Sequence, residues 1–176
     1  MQIDSIALIG YRGAGKTTVA EAIAQRLAWN WIDADAEIEL RSGKLIAAIF
    51  AEDGEAAFRD LETQVVGDLC RRQQVVIAFG GGAVLREANR LAIGGCGAVV
   101  WLKASLSALE RRIADDPATA GRRPKLTNLG GRTEIERLLA ERTPLYRACA
   151  TLEVDTDGKA PAEIADQIVA ALGLVA

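Results

Sequence analysis

Eight residues near the start of the chain have the types and spacing to hold a phosphate: Gly10-Tyr11-Arg12-Gly13-Ala14-Gly15-Lys16-Thr17. They fit G-x-x-x-x-G-K-[ST]. Glycines let such a loop curl with its N–H groups turned inward, and a helix starting directly after it adds partial positive charge. A lysine at position 16 would reach the β- and γ-phosphates of a nucleotide, and the Thr17 hydroxyl would hold Mg²⁺. The plainer alternative is a glycine-rich turn that happens to end in Lys-Thr. With glycine at ~7% of average usage, a chance match in a chain this long is on the order of one in a hundred. The flanks favour the phosphate loop further. Ser5 to Ile9 reads as a short buried strand, and Val19, Ala20, Ile23, Ala24 and Leu27 recur at helical spacing from about Gly15.

What chemistry can accompany this loop is bounded by one count: the 176 residues include no histidine. Ser-His-Asp and Cys-His catalysis are excluded, and the commonest zinc ligand is missing. A general base must then be a carboxylate, Lys, Tyr or Cys, and oxygen ligands point to Mg²⁺. A net charge of −3 argues against a nucleic-acid partner. No apolar run approaches the ~20 residues that cross a bilayer, so no membrane association is expected. The start Met-Gln-Ile-Asp lacks the features of a secretory signal, which predicts a cytoplasmic location. Cys70, Cys96 and Cys149 are odd in number and far apart, and read as small buried hydrophobes in a reducing compartment.

Further candidates follow along the chain. Trp29 to Ile32 reads as a second strand ending in Asp33-Ala34-Asp35, and alternation in an extended segment places both carboxylates on one side. At the C-terminal edge of an open α/β sheet, that side is the ligand crevice. Asp35 also has the ordinary alternative of capping a helix over 36–41. Arg59 and Glu62, three apart beside the apolar stripe Phe58, Leu61, Val65 and Leu69, can pair with each other; the helix alone does not say whether they do more. A third strand, Val75 to Phe79, ends in Gly80-Gly81-Gly82, where many phosphate-loop proteins carry an acid. That makes Asp33 the better metal candidate. Arg142 falls on the inward stripe of Ile135, Leu138 and Leu139, where a guanidinium demands an anionic partner.

The elements that must position these residues alternate strand and helix. A helix is expected over 45–50 and another from Glu55, a strand over 98–102, and a helix over 105–114. Residues 115–126 read as a loop whose basic cluster would suit a cover over phosphates. A helix from Arg132, an edge strand over 151–155 and a helix from Pro161 complete the chain. The expectation is an α/β fold in a single domain.

The phosphate loop, Asp33-x-Asp35, Gly54-Glu55-x-x-Phe58-Arg59-x-x-Glu62, Gly80-Gly81-Gly82, Arg123-Pro124 and Arg142-x-Pro144-Leu145-Tyr146 occur in the order seen in shikimate kinases, and the chain resembles that family over essentially its whole length. The resemblance implies a nucleoside monophosphate kinase-like, three-layer α/β/α fold with a five-stranded parallel sheet. It also implies a substrate-binding region over about 34–60 and a lid over about 114–126. The implied reaction transfers the γ-phosphoryl group of ATP to the 3-hydroxyl of shikimate, on a monomer.

By motif match, Gly13, Ala14, Gly15, Lys16, Thr17 and Thr18 would cradle the phosphates, with Lys16 on the transferring group. Thr17 and Asp33 would hold Mg²⁺. Asp35 would orient or deprotonate the attacking hydroxyl. Arg59 and Arg142 would grip the substrate carboxylate, with Glu62 orienting them and Gly80, Gly81 and Gly82 offering backbone. Arg123 would close with the lid, while Arg112 and the Pro161 region resemble the family's adenine clamp. Lys159 falls near an arginine that some members carry beside adenine. Two other readings share the loop: a kinase of another small polyhydroxy acid, and a nucleotide-binding module without catalysis.

Overall fold

The computed structural model of the protein describes residues 3–116 and 131–174. Five strands, β1 (Ser5–Ile9), β2 (Asn30–Asp33), β3 (Val75–Ala78), β4 (Ala98–Lys103) and β5 (Leu152–Asp155), form one all-parallel sheet in the order β2-β3-β1-β4-β5. Burial on both faces explains the near-continuous apolar runs of β1, β3 and β4. Register brings Leu8 level with Ala78 on one side and Val100 on the other, so β1 and β3 finish within a residue of each other while β4 runs on to Lys103. The expected five-stranded parallel α/β architecture is the one observed.

Helices cover both faces. The first layer is α1 (Lys16–Leu27), α6 (Leu106–Ala114) and α8 (Pro161–Ala171), packed over Ile6, Leu8, Val100 and Val154. The second is α2 (Ala34–Ser42), α3 (Ile46–Glu52), α4 (Gly54–Leu69) and α5 (Glu87–Gly94), over Ala7, Ile9, Ile77 and Val99. Helix α7 (Arg132–Cys149) serves both cores, giving Ile135 and Leu138 to the first and Tyr146 to the second. It runs through Pro144, which an isolated helix would resist at ~3 kcal/mol. Burial of the stripe Leu138, Arg142 and Tyr146 overrides that local cost.

Three local expectations are corrected. Helix α2 begins at Ala34, two residues earlier than its apolar pattern suggested, so Asp33 and not Asp35 is its N-cap. The Asp33 carboxylate accepts from the Asp35 and Ala36 backbone N–H groups, and that pairing draws the chain into a helix where strand alternation had been read. A short 3-10 turn (Ala83–Leu85) and α5 occupy a stretch to which the periodicity argument assigned no element. Finally, of the three cysteines only Cys96 is fully buried. Cys70 and Cys96, 26 apart in sequence, approach each other at the second core, and their mutual influence raises the Cys70 thiol and lowers that of Cys96.

The sheet and the loop after β1 meet at Gly10. Its φ is +141°, and a Cβ there would lie 2.5 Å from the Leu102 carbonyl oxygen at the end of β4. Gly10→Ala is therefore expected to lose at least about 2 kcal/mol of unfolding free energy in urea. Gly43→Ala, also at positive φ but with nothing within 4 Å of its Cβ, serves as the control. It should cost only the local ~1 kcal/mol of a left-handed alanine.

Candidate active site

The loop between β1 and α1 rims a cavity of about 370 Å³ at the C-terminal edge of the sheet. Of the residues expected here, Gly13, Gly15, Lys16, Thr17, Thr18, Asp33, Asp35, Gly80 and Gly81 line it. Ala14 is packed beneath, 1% exposed, in the first core. The Lys16 ammonium donates to the Gly10 and Tyr11 carbonyls at 2.8 and 2.9 Å, which holds it over the loop's mouth. Thr17 Oγ1 donates to Asp33 Oδ2 at 2.7 Å while Oδ1 of the same carboxylate caps α2. Asp33 thus joins β2, α2 and the loop. Two hard oxygens side by side, with room for phosphate oxygens and water around them, fit the octahedral demands of Mg²⁺. Among the described residues no group of three or more His, Cys, Asp or Glu offers an all-protein metal site.

Asp35 stands in the first turn of α2 and reaches the same cavity. Glu39, one turn further along the same helix, also lines it and accepts from the Ile46 N–H at 3.0 Å, closing the start of α3. Its i+4 spacing from Asp35 was the available signal for that shared face.

Behind Gly80 and Gly81 stands the basic wall. Arg59 and Glu62 are 8% and 3% exposed and pair at 2.7 Å, so the surface ion pair allowed by the sequence is in fact buried. The Arg59 guanidinium also lies 5.1 Å from the centre of the Phe58 ring. A Cβ on Gly82 would fall 2.7 Å from Arg59 Nη1, and one on Gly81 would fall 3.6 Å from Arg142 Nη1. Here the triple glycine has its reason: side chains would occupy the space where the two guanidiniums approach the backbone. Tyr146, which the sequence pattern contained but to which no role was attached, is fully buried and donates to the Gly81 carbonyl at 2.5 Å.

Arg142 differs from Arg59. It is 5% exposed, makes no ion pair among the described residues, and its Nε is buried without an acceptor. The Tyr11 ring, 5.8 Å away, is its recorded contact, and Glu62 feels its charge without touching it. A guanidinium so placed requires an anion from outside.

Away from the cavity, Arg112 donates to the Gly13 carbonyl at 3.3 Å and to the side chain and carbonyl of Thr156 at 3.0 and 2.9 Å, tying the phosphate loop to the β5–α8 connection. Lys159 donates to the Asp155 carbonyl and to Gln167 Oε1 and does not line the cavity. Arg123 and most of the expected lid lie outside the described residues.

A parallel sheet in this order, a phosphate loop after its central strand and a Thr–Asp pair beside it define a P-loop kinase of the nucleoside monophosphate kinase-like fold. The shikimate kinase family profile matches residues 12–173. Shikimate kinases from Rhodopirellula baltica and Thermobifida fusca are each 45% identical to it, covering 93% and 92% of this chain and 88% and 90% of theirs. The chain belongs to the shikimate kinase family. A shikimate kinase from Acinetobacter baumannii, solved in complex with shikimate, superimposes with a TM-score of 0.91 at 34% identity over 97% of this chain and 93% of that one. No helix among the described residues is long and apolar enough to cross a membrane.

Burial raises the Glu62 carboxyl above the ordinary glutamate range, and Arg59 pulls it back in part. A raised acid contributes stability below its unfolded pKa and loses it as pH rises through the folded value. Urea unfolding from pH 4 to 7 should therefore show wild type gaining on Glu62→Gln as pH falls through that window. A pH-independent gap between the two proteins would contradict the assignment.

Proposed function

We propose that this chain phosphorylates the 3-hydroxyl of shikimate with ATP, and that the following residues, some lining the cavity and some outside it, divide the work. Arg142 and Arg59 bind the substrate carboxylate against Gly80, Gly81 and Gly82, with Glu62 holding Arg59 in place. The burial of Arg142 without an ion-pair partner among the described residues is the observation that carries this reading, because it needs an anion of the kind that shikimate brings. Asp35 receives or orients the attacking hydroxyl. Lys16 and the backbone of Gly13 to Thr18 hold the β- and γ-phosphates, and Arg112 with the β5–α8 connection borders the nucleoside. Arg123 belongs to the same proposal as a lid contact to the phosphates, and Lys159 as a contact near adenine.

Mg²⁺ would be held by Thr17 and, directly or through water, by Asp33, and when bound it neutralises charge on the β- and γ-phosphates. Phosphoryl transfer then asks the protein for alignment and charge compensation, which needs no histidine. The Pγ bond to the bridging oxygen breaks as the bond to the 3-oxygen forms. ADP keeps the electron pair, and the hydroxyl proton leaves toward Asp35. A single chain working in the cytoplasm, where ATP is supplied, completes the proposal.

An ADP-release assay across shikimate, quinate, gluconate and the nucleoside monophosphates tests the substrate. Preference for shikimate is expected, and equal or better turnover of another acceptor would overturn it. Asp35→Asn should lower kcat by about 10²–10⁴-fold while ATP affinity stays within a few-fold; unchanged turnover would remove Asp35 from the reaction. Arg142→Ala should raise KM for shikimate on the order of 100-fold. An unaltered KM would mean that the acid binds elsewhere.

A further inference from the structure

The phosphate loop holds two cations, Arg12 and Lys16, and the reaction described above uses only the second. Arg12 lines the same cavity as Lys16, Asp35 and Gly81. Its backbone nitrogen lies 3.3 Å from where a Cβ on Gly81 would stand, and Arg142 Nη1 lies 3.6 Å from the same point. Arg12 therefore stands where the loop meets the triple glycine, whereas Thr17 and Thr18 lie in the first turn of α1. Its side chain is half-buried and makes no hydrogen bond or ion pair among the described residues. Of the four carboxylates that line the cavity with it, Asp33 bonds Thr17 and the α2 backbone, Glu39 bonds the Ile46 N–H, and neither they nor Asp35 and Asp116 form an ion pair with Arg12. Lys16 contrasts with it, folded onto the carbonyls of its own loop.

A guanidinium without a partner at the border of donor and acceptor subsites has a chemistry to match. The transferring phosphoryl group carries its charge on three equatorial oxygens and passes from one subsite to the other. A planar fork of donors suits two such oxygens at once. We propose that Arg12 is a catalytic residue of this chain: its guanidinium binds the equatorial oxygens of the phosphoryl group in transit and stays on the phosphate of the product. The inference rests on the reading of the site given under Proposed function. It makes the acceptor pocket prefer a phosphorylated acid, with Arg142 and Arg59 on the carboxylate and Arg12 on the new phosphate.

The experiment compares wild type with Arg12→Met and Arg12→Lys, each checked for folding by thermal unfolding. It measures kcat, both KM values, and calorimetric affinities for shikimate and shikimate 3-phosphate. Arg12→Met should lower kcat by about 10²–10³-fold, as the loss of a transition-state charge contact does. It should leave shikimate affinity within threefold and weaken shikimate 3-phosphate at least 30-fold; Arg12→Lys should restore part of both losses. Kinetics and product affinity within threefold of wild type would overturn the proposal, and so would equal weakening of both acids. If Arg12→Met does not fold, Arg12→Lys alone decides, by whether product affinity falls while shikimate affinity holds. Failure of the wild-type enzyme to turn over shikimate is a separate outcome, which would overturn the substrate reading and this role with it.

Discussion

Two guanidiniums share the buried wall behind the triple glycine, and among the described residues only Arg59 has carboxylate partners, Glu62 at 2.7 Å and Glu55 at 3.4 Å. Glu62 pairs with Arg59; Arg142 has nothing comparable among the described residues. Leaving a cation in that position costs several kcal/mol unless something offsets it. The surrounding structure packs closely around the wall. Phe58 and Tyr11 lie within 5.1 and 5.8 Å of the two guanidiniums, Gly82 leaves Arg59 room, and Tyr146 fixes the Gly81 carbonyl from below. Rigidity matters because a guanidinium free to swing to solvent would bind a carboxylate with less preference for its direction.

The second half of the site depends on the same crest of the sheet. Because β1 lies between β3 and β4, the phosphate loop emerges beside the triple glycine, and Gly80 and Gly81 line the same cavity as the loop. Asp33 links the parts. One of its oxygens caps α2 and so fixes where Asp35 stands, and the other meets Thr17 at the start of α1. The positions of Asp35 and of the Thr17 hydroxyl are thus both tied to a single carboxylate. Arg112 performs a similar service on the far side, where the loop meets β5 and α8 through the buried Thr156.

Recognition of a small acid beside a nucleotide also explains the composition. An enzyme that works by alignment and charge compensation needs arginines, backbone N–H groups and a few carboxylates, and can dispense with histidine.

The phosphate loop, the five strands and most helices were legible because each is specified by neighbours in sequence: glycine spacing, continuous apolar runs, and a stripe at helical period. Arg142 was legible for the same reason, as a charge interrupting such a stripe. Other features depended on contacts that no local pattern encodes. The helix at Ala34 was decided by one carboxylate reaching two N–H groups, and Pro144 was carried inside α7 by the burial of its neighbours. The burial of the Arg59–Glu62 pair, the meeting of Cys70 with Cys96 and the side of the loop on which Arg12 stands were likewise settled by packing between distant segments. Sequence by itself determined which anion-binding groups exist and which backbone presents them. Tertiary structure decided which of their charges are left without a partner, because compensation depends on distance in space and on exclusion of water.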